Sequence, residues 1–113
     1  MKPFVAPLSN ALGHLQQATT WLMQNAMAKP DNAGAAATDY LHLFGFVALG
    51  YMWARMAKVT QAKIAESGAT PYLSTKLVTG RFFMERMLPE TTLHLARIQT
   101  GCATTMELPA EAF

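Results

Sequence analysis

The stretch from Asp39 to Lys58 constrains the fold more than any other part of the chain, because nothing else in it is so apolar for so long. Placed at about 100° per residue, Leu41 and Met52 share one side, Phe46 and Trp53 a second, Leu43 and Val47 a third, and Phe44 and Tyr51 a fourth. A helix that is apolar all round is either the centre of an assembly or a membrane span. Only residues 40–54 separate Asp39 from Arg55, and they include His42 and two tyrosines; a span needs about twenty predominantly apolar residues. The stretch therefore predicts a central helix of a helical assembly, shielded from water on every side. Gly50, Ala54 and Ala57 fall within about 60° of one another, and Gly45 and Ala48 lie on nearly the opposite side. Close approach of neighbours from two directions is expected.

The remaining helices follow from period and punctuation. After Pro3 and Pro7, Ser9 or Asn10 is a plausible cap; Leu12, Leu15, Ala18, Leu22 and Ala26 then recur at spacings of three and four, an amphipathic helix ending near Ala28. Pro30-Asp31-Asn32 forms a turn and opens the central helix. That helix emerges from the core beyond Ala57 and stops at Ser67-Gly68. Thr70-Pro71 is a cap with proline at the first helical position, starting a third helix with a stripe of Leu73, Leu77, Gly80, Met84, Met87 and Leu88. Arg81 and Glu85 are spaced for an i, i+4 pair. Pro89 predicts a kink or break near Leu88, after which Leu95 and Ile98 continue the helical pattern to Thr100-Gly101. In the tail, Met106, Leu108 and Phe113 are candidates for docking on the bundle. With no hairpin signal, the fold class is all-α: an up-and-down bundle of three long helices, four if broken at Pro89, around a central apolar helix.

The 113 residues make one domain, 1–113. Charged residues are only 14% of the chain while 51% is hydrophobic, so part of the surface is expected to be covered by something else. A net charge of +2 from scattered lysines and arginines indicates no nucleic-acid surface. One cysteine cannot form an internal disulfide, and two early prolines interrupt any signal-peptide core, so the expected location is the cytoplasm.

The search for chemistry nominates no catalytic, cofactor-binding or metal-binding residue. His14, His42 and His94 sit on three different helices without ligand spacing, although His42 and His94 could converge in space. Cys102 has no adjacent base to make it a thiolate. Asp39, Glu66, Glu85 and Glu90 each have a local structural explanation, and none has an evident catalytic partner. Gly45 and Gly50 lie inside a continuous helix and form no phosphate loop.

The order of residues in the central stretch is informative in itself. Tyr40-Leu41-x-Leu43-Phe44-Gly45-x-Val47-x-x-Gly50-x-x-Trp53-x-Arg55-x-Ala57, flanked by Thr19-x-Trp21-Leu22, Lys76-x-x-x-Gly80-Arg81-Phe82-Phe83, Leu88-Pro89, Gly101 and Met106-x-Leu108, resembles the extra C-terminal domain of a subgroup of acyl-CoA dehydrogenases. The subgroup is similar to the 3-methylthiopropanoyl-CoA dehydrogenases. Gly80 departs from the alanine expected in many relatives. The resemblance implies a non-catalytic helical appendage of a flavin-dependent enzyme that introduces an α,β double bond into an acyl-CoA thioester. FAD and the catalytic glutamate would then belong to a body preceding Met1, making this chain the C-terminal fragment of a larger one. Its partners would be that body and a second subunit, in a homo-oligomer, with no nucleic acid and no membrane span; the domain could border the CoA entrance. The competing expectation is a self-standing bundle that dimerises or binds an apolar ligand through its charge-poor surface.

Overall fold

Prolines and glycines divide the chain into its helices. The computed structural model describes residues 1–113 and is all-α: α1 (Lys2–Asn25), α2 (Asp31–Ser67), α3 (Pro71–Phe82), a π-turn (Phe83–Met87), α4 (Glu90–Gln99), a single turn α5 (Ala103–Met106) and a closing 3-10 turn (Ala110–Ala112). The expected bundle is present, with the break beside Pro89.

The first helix begins earlier than its capping signals predict. It starts at Lys2 and runs through Pro7, so Ser9 and Asn10 lie inside it. Pro3 is harmless because the first N–H groups of a helix have no partner within it. Pro7 does remove a hydrogen bond, but the extra turns bury Phe4 beneath α3 and set Leu8 against Gly50. Burial of a large aromatic contributes about 1.5–3 kcal/mol, which outweighs the capping preference further along.

Both other layers run antiparallel to α2. On the α1 side, Leu8 lies beside Gly50, Thr19 hydrogen-bonds Tyr40 at 2.7 Å, and Asn32 donates to the Asn25 carbonyl at 3.2 Å. On the other side, Phe83 stacks on Trp53 and Leu88 meets Gly50. Further along, His94 pairs with Asp39 and the Cys102 backbone meets Asn32. The α3–π–α4 run is thus one bent rod descending the length of α2, while α1 covers mainly its N-terminal half. The molecule is correspondingly long and flat, 67 × 29 × 14 Å.

The bend has a local cause. Pro89 has no N–H to give the Glu85 carbonyl, and its ring would crowd that carbonyl in a regular helix. The wide turn before it, closed by the Leu88 N–H donating to the Phe83 carbonyl at 2.9 Å, relieves the crowding. It also turns Phe83, Met84 and Leu88 into the core together. The turn begins between Arg81 and Glu85, and these two do not form the expected ion pair; the ion pairs present both involve Asp39. Thr70 caps α3 by accepting from the Leu73 N–H at 3.2 Å, as its position predicts. Gly68 and Gly101 take φ of 88° and 78° where the helices stop, a region open to glycine without strain.

Three expectations about coverage fail. The central helix is not shielded all round: Leu43 is fully buried, whereas Leu41, two residues earlier, is 71% exposed, and Phe44, Leu49, Tyr51 and Met52 are about half exposed. Gly45 meets no neighbour, because α1 and α4 both pack on the Leu43, Val47 and Gly50 side, so α2 is gripped from one direction only. The tail does not dock, and Phe113 is 92% exposed. In each case the cause is the same: three packed helices supply too little surface to enclose every apolar side chain of the chain.

Candidate functional site

Two features stand out from the packing, a polar seam inside the bundle and an open apolar face outside it. The seam joins α1, α2 and α4. His94, nearly buried, donates its Nδ1–H to the Asp39 carboxylate at 2.8 Å; a carboxylate only accepts, so the hydrogen sits on that nitrogen. The Arg97 guanidinium approaches the same oxygen at 3.6 Å. His42 and Phe46 stack on the His94 ring, at centroid distances of 5.5 and 5.9 Å. One layer away, His14 Nδ1 and Thr91 Oγ1 share a hydrogen bond of 2.8 Å. Thr19 donates to the Leu15 carbonyl and therefore accepts from the Tyr40 hydroxyl.

His42 and His94, placed on separate helices by their sequence positions, do meet, and they meet as stacked rings. No three His, Cys, Asp or Glu side chains converge in a metal-binding arrangement. Every buried side-chain nitrogen and oxygen has a partner, so the seam has no unpaired group aimed at a ligand. A satisfied buried network of this kind fixes the register of the helices that carry it. Asp39 acquires two partners that local reading could not supply; the available signal was that Asp39 and His42 share a face of one helix, and His94 and Arg97 a face of another, each at i, i+3. Cys102 is buried with its thiol inside the fold, and its backbone N–H donates to Asn32 Oδ1 at 3.1 Å.

The open face runs along α2. Leu41, Gly45, Ala48, Met52, Arg55 and Val59 follow one another at alternating spacings of four and three residues and look away from α1 and α4. Two grooves flank this stripe. One, of about 250 Å³, is lined entirely by apolar side chains, among them Leu12, Leu15, Phe44 and Tyr51. The other, of about 370 Å³, lies between α2 and α3, with Met52, Met56 and Val59 along it and Arg55, Lys63 and Lys76 at its edges. The fold also separates charge along its length. The end holding α3 and the second half of α2 carries Lys2, Arg55, Lys58, Lys63, Lys76, Arg81 and Arg86 against Glu66 and Glu85. The opposite end carries Asp31, Asp39, Glu107 and Glu111 against Lys29 and Arg97. Charges that look scattered in the sequence are polarised by the fold.

No helix is long and apolar enough to cross a membrane. Against known proteins, the model of the family described as "Acetyl-CoA dehydrogenase C-terminal like" matches residues 1–109. No curated protein sequence matches the chain.

Proposed function

The chain belongs to the acetyl-CoA dehydrogenase C-terminal-like family, and from that premise we propose that it is a non-catalytic scaffold of an acyl-CoA dehydrogenase, docking through the open face of α2 on the catalytic body or on a second subunit. The observation carrying this reading is the coincidence of the family match with an apolar face of α2, from Leu41 to Met52, that the chain's own helices leave uncovered. Exposed apolar surface of this extent marks interaction sites in soluble proteins.

The parent reaction in this reading is α,β-dehydrogenation of an acyl-CoA thioester, of the 3-methylthiopropanoyl-CoA type, with FAD and the glutamate that takes the α proton belonging to the body. In keeping with that division, α2 opens on Asp31 and α4 on Glu90, and a carboxylate at a helix start competes with a pyrophosphate for the same N–H groups. No step of the reaction is therefore assigned to any residue here. A lone cysteine held as a buried thiol is in keeping with a reducing compartment such as the cytoplasm.

The test is to read the coding sequence upstream of Met1 and to co-purify its product with this chain. The expected outcome is a dehydrogenase body, in the same frame or an adjacent gene, that binds the chain and is the yellow component of the complex. Absence of any dehydrogenase sequence there, or flavin absorbance in this chain purified alone, overturns the proposal in favour of a self-standing module.

A further inference from the structure

We infer that the open face of α2 pairs with α2 of a second copy of this chain, the two helices running antiparallel. The inference rests on reading that face as a docking surface and names its occupant. Three observations carry it. First, the stripe is self-complementary about a two-fold axis crossing α2 between Phe46 and Val47. In that arrangement Leu41 faces the partner's Met52 and Gly45 faces the partner's Ala48. The small pair lies at the centre, where the backbones come closest, and the large pairs lie outside it; this is the isologous pattern a two-fold contact requires.

Second, the spacing suits a helical partner. Gly34, Thr38, Leu41, Gly45, Ala48, Met52, Arg55 and Val59 alternate by four and three residues, which is the seam of a helix pair. All are exposed apart from the half-buried Gly45, which meets nothing within 4 Å. Leu41, Phe44, Leu49, Tyr51, Met52 and Val59 each leave on the order of 100 Å² open, so together with the grooves beside them they approach the roughly 800 Å² that one partner contributes to a stable complex.

Third, the charge polarity selects the direction. An antiparallel pair lays the end bearing Arg55, Lys58 and Lys63 against the end bearing Asp31, Glu107 and Glu111 of the other copy, twice over. It also opposes the two helix dipoles. A parallel pair would stack like charge on like charge along the whole 67 Å length.

The experiment uses the whole 113-residue chain. Sedimentation velocity of the unaltered protein is expected to give twice 12.4 kDa, with association weakening several-fold as salt is raised. Leu41→Cys and Met52→Cys are then made separately, each combined with Cys102→Ala; positions 41 and 52 are exposed, and circular dichroism checks that helix content is retained. With a short bismaleimide, each variant alone stays uncross-linked, and an equimolar mixture forms the covalent dimer. Cross-linking of either variant with itself means a parallel or different contact and overturns the inference. A monomer at all concentrations also overturns it. If the upstream body then protects the thiol introduced by Leu41→Cys from maleimide, the docking reading survives with a different occupant; if it does not, both fall.

Discussion

Phe4 occupies the space that a side chain at Gly80 would need: a Cβ built on Gly80 stands 2.7 Å from Cε1 of the Phe4 ring and 3.0 Å from Cε3 of Trp53. Alanine would force a buried ring to move, although in an open helix it would gain about 1 kcal/mol over glycine. The overpacking term wins, and Gly80→Ala is predicted to destabilise by about 1–2 kcal/mol, lowering the melting temperature by roughly 4–8 °C for a chain of this size. Combining it with Phe4→Leu should recover part of the loss, with a double-mutant coupling of about 1 kcal/mol. Strict additivity would show that the two residues do not compete for one space.

Gly50 is the milder case. Its Cβ would lie 3.3 Å from Leu8 Cδ1 and 3.4 Å from Leu88 Cδ1, the mobile ends of two side chains. Gly50→Ala is therefore expected to fall within about 1 kcal/mol of the natural protein, helix propensity offsetting the tight contact. Gly50→Leu has no room and should cost about 3 kcal/mol or more. Thermal melts of the two variants decide it; equal midpoints would remove the case for a close three-helix contact at this point.

Asp39→Ala leaves the Nδ1–H of a nearly buried His94 without its acceptor, for which the expected penalty is about 1–3 kcal/mol. Asp39→Asn retains an acceptor oxygen and should lose less than half of that. Arg97→Ala, at a side chain 58% exposed and 3.6 Å from the carboxylate, is expected to change stability by no more than about 0.5 kcal/mol. Urea unfolding of the three variants measures the order, and an Arg97 effect as large as that of Asp39→Ala would contradict it.

Leu41 and Leu43 separate the two sides of α2. At concentrations low enough to keep the chain monomeric, Leu43→Ala should destabilise by about 2–5 kcal/mol through the cavity it leaves. Leu41→Ala should stay within about 0.5 kcal/mol. Comparable losses at both positions would mean that the Leu41 side is enclosed within a single chain.

What could be read along the chain was what depends on near neighbours. The apolar period marks the helices, Thr70 and Pro71 open α3, Gly68 and Gly101 end α2 and α4, and Pro89 breaks the last rod, since each acts within a turn or two of its own position. The start of α1 escaped that reading because Pro3 and Pro7 weigh against a helix locally, while the contact that carries it there, Phe4 beneath Gly80, joins residues 76 positions apart.

By itself the sequence determined that this protein is helical, organised on α2, and short of charge with which to cover itself. Only the tertiary structure decided which apolar side chains are covered. Hydrophobicity records that a residue gains by leaving water, but the number of neighbouring helices and the side they occupy decide whether it does. The same holds for the Asp39–His94 pair and for the separation of charge between the two ends. Both depend on residues far apart in the chain being brought to one place, and a local pattern has no term for that distance.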